Sequence, residues 1–306
     1  MFALSTSWNA SNCNNGIDLI NQIQALGFKN VELSFNLTSK IVEDIHFLYK
    51  KGQIRVVSLH NFCPIPDNVE RDKALPDFYS LSILDEKIRI KAVEQTKKTI
   101  DTAAQFKAGV VILHCGRVEI PDKTKALIEL FNKGLKGSEG YEQLKLESIQ
   151  ERQKQDKPFL DQVLISLNEL TEYARNCNVT LGIENRFYIH EIPNLEEIKV
   201  FLETFKDSNI AYWHDVGHAQ VQENLGFNNQ FEYLDLFRDR MIGMHLHDVD
   251  GTTDHLAPFE GKLDFSKFAD YLKPDTLKVI ESHSPATSKQ LTKSVKILRQ
   301  VFKDYD

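Results

Sequence analysis

A chain of 306 residues with 42% apolar and 26% charged residues can bury a full core without disulfide or metal staples, and its formal charge of −7 disfavours the broad basic face that nucleic-acid binding needs. The four cysteines, Cys13, Cys63, Cys115 and Cys177, form no CxxC pair and read as reduced thiols. No apolar stretch approaches the roughly 18 residues of a membrane span, and the opening MFALSTSWNASNCNNG lacks the basic start and apolar run of a signal peptide, so a cytoplasmic protein with no membrane partner is expected.

In chain order, short apolar runs alternate with stretches of helical period. Run 2–7 is followed by a helix at 17–26, run 30–35 by one at 40–50, and run 55–61 by one at 86–106. Run 109–116 leads into about forty polar residues, 117–158, before a helix at 161–176. Then come run 180–186 with helix 196–205, run 210–215 with helix 231–237, and run 241–248 with a short stretch at 266–272. Run 277–283 and a helix at 289–302 close the chain.

Strands alternating with helices predict right-handed βαβ units and a parallel sheet, and nearly all-apolar runs predict strands buried on both faces. Eight such units fit a closed barrel, so the expected fold is a single-domain α/β, (β/α)8 TIM barrel over 1–306 with a long insertion after strand four. An open doubly wound sheet would carry a GxGxxG turn after its first strand, where this chain has STSWNASNCNNG. The 117–158 insertion is expected either over the catalytic face or as a solvated helical excursion, and it could pair barrels into a homo-oligomer.

Active sites of such barrels sit at the C-terminal ends of the strands. There the polar residues gather: Glu32, His60, His114, then Glu184, Asn185 and Arg186, then His214, Asp215 and His218, then His245, His247 and Asp248 with His255 beyond, and last Glu281 and His283. Of ten histidines, nine fall at a strand end or in the following loop, and His46 alone falls inside a predicted helix. Buried polar groups are costly without partners, and a ring of imidazoles and carboxylates converging on one face recovers that cost by binding a cation.

The segments IEN at 183–185, DVGH at 215–218, HLHDVDG at 245–251 with His255, and the strand-final Glu281 resemble the xylose-isomerase-like barrel superfamily, which includes sugar isomerases and epimerases and also endonuclease IV. The resemblance implies one divalent metal on Glu184, Asp215, His245 and Glu281, with Glu184 and Glu281 as the catalytic acid/base pair. It also implies a second metal site drawn from His60, His114, His218 and His255. A third ion is not expected, because the Asp of the nuclease's Asp-x-His is Thr253 here, with Asp254 shifted by one. The segment PDFYSLSILDEKIR is similar to the substrate loop of the sugar-isomerase branch.

The resulting expectation is an isomerase or epimerase that moves a proton next to a carbonyl of a sugar-like substrate through an enediolate, with one or two ions. Mixed imidazole and carboxylate ligands suit Zn²⁺ or Mn²⁺, with Co²⁺ a third choice. Glu32, His60, His114, Arg186, His218, His247 and His283 are the expected substrate-binding groups, of which Glu32, His247 and His283 could instead orient ligands from behind. Cys115 follows His114 on a strand and should point the other way. Two alternatives share the residues: an endonuclease IV-like phosphodiesterase on abasic DNA, and a metal-dependent dehydratase or lyase.

Overall fold

The computed structural model describes residues 1–303. Eight parallel strands close a barrel: β1 (Phe2–Ser5), β2 (Asn30–Leu33), β3 (Arg55–His60), β4 (Val110–Leu113), β5 (Thr180–Glu184), β6 (Ile210–Asp215), β7 (Met241–Leu246) and β8 (Leu277–Ile280). Each strand pairs with its sequence neighbours, and β8 returns to β1 with Ala3 opposite Val279. This is the expected (β/α)8 barrel, a single domain.

The two-residue period of the strands sorts side chains into two layers. Ala3, Val57, Val110, Ile112, Trp213 and Val279 fill the barrel floor. Their neighbours Leu4, Val111, Leu181, Ile183, Met244 and Leu246 face outward and pack among the surrounding helices. Cys115 joins that outer layer, and burial pushes its thiol far up, as fits a packing residue. Most strands end two or three residues short of the predicted runs, because the last residues of each run are the polar ones that leave the ladder to build the mouth.

The stretch after β4 is the long insertion expected there. It is helical for most of its length: a helix over Thr124–Asn132, then one of 38 residues over Glu139–Asn176 that absorbs the predicted 161–176 helix. Pro158 lies inside it without ending it. Pro158 and Lys154 both lie on the exposed side, so water can take the Lys154 carbonyl that proline leaves unbonded. Two small antiparallel ribbons sit beyond the strand ends: Gly116–Arg117 with Glu191–Ile192, and Asp248–Asp250 with Thr253–Leu256. No helix among the described residues is long and apolar enough to cross a membrane.

Candidate metal centre at the barrel mouth

Glu184 ends β5, Asp215 ends β6, His245 is next to last on β7, and Glu281 follows β8. All four share the inward parity of their strands, and each is at most 3% exposed. Their carboxylates converge on one nitrogen: His245 Nδ1 lies 2.7 Å from Glu184, 2.9 Å from Glu281 and 3.5 Å from Asp215. On the far side of the ring, Nε2 faces Glu32 at 3.1 and 3.2 Å, and Glu32 in turn accepts from the Ser58 hydroxyl at 2.7 Å.

This donor set fits a cation. A neutral imidazole carries one hydrogen. In the neutral ring that ligates a metal, with Glu32 taking that hydrogen at Nε2, Nδ1 presents its lone pair to an ion held by the three carboxylates, the arrangement in which a metal-binding histidine is held by a carboxylate behind it. Four buried carboxylates around one imidazole also leave negative charge that the interior cannot tolerate unpaired. Burial pushes the Glu184 carboxyl up, but His114, His245 and His60 prevail and hold it well below the usual range. Asp215 is likewise held down against its burial by His218 and His247, and Glu281 by His245. Burial disfavours a charged His245, yet Glu281 and Glu32 outweigh it and hold the ring well above its ordinary value.

Two further groups adjoin this one. His60 and His114 approach Glu184 at 3.8 and 2.7 Å, while His218, His247 and His255 gather at Asp215; within each of the three groups the ligand atoms lie within 4.8 Å of one another. The four histidines expected at a single second site are therefore split between two places. His60 and His114 come from β3 and β4, on the β5 side of the centre, whereas His218 and His255 lie beyond β6 and β7. His218 is in the first turn of the helix Val216–Asn224, whose N-cap is Asp215 itself, with Oδ1 accepting the His218 N–H at 2.7 Å.

His247 receives the His255 N–H on Nδ1 at 2.8 Å and turns Nε2 to Asp215 at 2.9 Å. A Cβ at Gly217 would run into this ring, so glycine there is what lets His247 approach. His255 is stacked between His247 and His283, with centroids 4.1 and 3.9 Å apart. Thr253 is exposed, and Asp254 binds His255 Nδ1 at 3.1 Å. Burial works against a charged His255, but Asp254 raises it to about 9.

A cavity of about 370 Å³ opens onto the centre. Among the expected substrate-binding groups, His60, His114, Arg186, His218 and His283 line it. Glu32 and His247 do not: Glu32 lies beneath His245, and His247 lies behind Asp215. Both touch a ligand residue instead of the opening, as groups that orient ligands from behind would. His214 points away from the centre altogether, toward Tyr212 and Phe268, since it neighbours Asp215 on a strand whose parity sends it outward.

Arg186 is committed to Glu184 at 2.8 Å and Glu191 at 3.0 Å. Sequence reasoning does not single out Tyr188, His190, Glu191 or Arg117, all of which line the cavity. The run NRFYIHEI directly after β5 is the available signal, and the ribbon pairing it with Gly116–Arg117 folds it over the mouth. From the insertion, Asp122 and Lys125 reach the cavity wall, and from the segment after β3, Pro76 and Asp77 do.

The sequence profile of the xylose isomerase-like TIM barrel family matches residues 20–301. The chain belongs to that family. No curated protein matches it in sequence. Among solved structures it is similar to a D-tagatose 3-epimerase-like protein, at 19% identity over 99% of this chain and 97% of that one, with a TM-score of 0.66. It is also similar to 3-keto-D-glucoside 4-epimerase from E. coli, at 13% identity over 98% of each chain, with a TM-score of 0.65. A third is a Thermus thermophilus protein soaked with ZnCl₂, at 17% identity over 99% of this chain and 97% of that one, with a TM-score of 0.60. At such identities the likeness is one of fold.

Proposed function

We propose that this family member is a divalent-metal-dependent isomerase or epimerase that acts on a sugar or sugar-like hydroxy-carbonyl compound by proton transfer through an enediolate. The observation that carries this reading is the meeting of Glu184 and Glu281. They reach one nitrogen of His245 from β5 and from the end of β8, at 2.7 and 2.9 Å, and both line the cavity. Glu184, Asp215, His245 and Glu281 would hold the ion, zinc or manganese by their donor types, with cobalt a third choice. Such an ion supplies Lewis-acid stabilisation of negative charge on substrate oxygen.

One of the two glutamates takes the proton beside the carbonyl, and one returns it. Return from the opposite side inverts the carbon, and return to the neighbouring carbon, with the hydroxyl proton passing to the former carbonyl oxygen, exchanges aldose and ketose. Arg186 and the flanking histidines keep Glu184 ionised, the state a base needs. At about 370 Å³ the cavity is near the small end of ligand pockets, roughly 300–1,000 Å³, which suits one sugar-sized molecule.

The test is proton exchange in D₂O on a panel of ketoses and sugar phosphates, with metal-loaded and chelator-treated protein. Glu281→Gln should lower turnover by at least about 10²-fold. Full activity in that variant overturns the proton-transfer role.

One observation favours a second reading. The groups around His60, His114 and Glu184 and around Asp215, His218, His247 and His255 adjoin the first, and neighbouring metals suit phosphodiester hydrolysis. Metal-dependent nicking of a duplex with one abasic site, at catalytic rates, would put that reading first.

A further inference from the structure

We propose that Asn185 is a positioning residue for the metal centre, its side-chain amide extending the β5–β6 ladder to fix Asp215; this rests on the metal-dependent reading above. Regular pairing of the two strands runs out at Glu184 opposite Trp213, before Asp215 is reached. There the amide takes over. Asn185 Oδ1 accepts the Asp215 N–H at 2.7 Å, and Nδ2 donates to the Asp215 carbonyl at 2.9 Å. A primary amide offers the donor and acceptor of a peptide, so both backbone groups of a fully buried residue are satisfied by one side chain.

The amide is itself oriented. The Tyr212 hydroxyl donates to Asn185 Oδ1 at 3.0 Å, and His214 Nδ1 lies 2.7 Å from the same hydroxyl. Tyr212 has one proton and gives it to Asn185, so His214 donates from Nδ1 and keeps Nε2 bare. That Nε2 is buried with no partner among the described residues. On its other side, the Asn185 carbonyl meets His218 Nδ1 at 3.1 Å. One residue thus touches the main chain of Asp215 and the ring of His218, two members of one metal-capable group. None of Asn185, Tyr212 and His214 lines the cavity, so the network acts through the ligands and not on the substrate.

The experiment uses chelator-stripped full-length protein. Zinc dissociation constants are read by competition with a chromophoric chelator, below the onset of melting, and the visible bands of the cobalt-loaded protein report ligand geometry. Asn185→Leu leaves the Asp215 N–H unpaired and its carbonyl with the helix bond alone, and should weaken zinc binding by roughly 10–100-fold, with altered cobalt bands. Tyr212→Phe frees the amide to turn and should weaken binding in the same direction, by less. Either variant at the wild-type constant and spectrum overturns the proposal, and Tyr212→Phe decides alone if Asn185→Leu does not fold. Wild-type protein that takes up neither zinc nor cobalt removes the metal reading itself, and this inference with it.

Discussion

Replacing Glu32 by glutamine removes one charge and no hydrogen bond. The new amide oxygen can still accept from His245 Nε2, now 3.1 Å from the carboxylate, and the amide nitrogen can donate to the Ser58 hydroxyl, now at 2.7 Å. What is lost is the charge assistance that makes the imidazole a stronger donor at Nδ1. Hydrogen bonds to charged groups are worth about 1.5–3 kcal/mol against about 0.5–1.5 kcal/mol for neutral ones. The difference, about 1–1.5 kcal/mol, is close to tenfold in an equilibrium constant. Zinc and manganese affinities should therefore fall by about tenfold, the lower end of the range for groups behind a metal ligand. The metal-free protein keeps both hydrogen bonds and should melt within a few degrees of wild type. Competition titration and thermal melting after chelation give the two numbers. Unchanged affinity would refute the idea that Glu32 works through His245, and so would a large loss of metal-free stability at constant affinity.

Other outcomes follow from the same geometry. Chelation should abolish activity and lower the melting temperature, and returning zinc at a hundredfold excess over its dissociation constant should restore about 2.7 kcal/mol. A melting curve indifferent to chelator and metal would contradict this. Gly217→Ala places a Cβ against His247 and should cost about 1–3 kcal/mol in denaturant unfolding, with weakened metal binding as His247 leaves Asp215. Burial pushes the Glu191 carboxyl up, but Arg186 and His114 outweigh it and hold it below its ordinary value of 4.5. The unfolded chain therefore takes up that proton first, so the Glu191 contribution is full above about pH 4.5 and is lost as the pH falls further. Glu191→Gln should flatten the acid limb of stability against pH, and an unchanged limb would discount the pair.

Much of the architecture is legible because the signals are local. Apolar runs of strand length, alternating with helical period, are properties of a few residues each, and eight of them in a row leave little choice but closure. The inward parity of Glu184, Asp215, His245 and Glu281 is readable for the same reason, since each stands at or near the end of its run. The insertion is the exception. Its polar composition leaves open where its helices run and what they rest on, which the fold supplies where Arg152 pairs with Glu197 at 2.8 Å and Tyr141 reaches the Leu225 carbonyl at 2.8 Å.

The order of the residues is enough to dictate the barrel and the set of side chains that could meet at its mouth. Their depth and their partners emerge only when the chain is folded. Packing puts Glu32 beneath His245, divides four histidines between Glu184 and Asp215, and brings Tyr188, His190 and Glu191 over the opening. Parity along a strand is set by neighbours two residues apart. Which strand ends face one another, and at what height, is set by the stagger that closes the sheet and by the loops that fold across it.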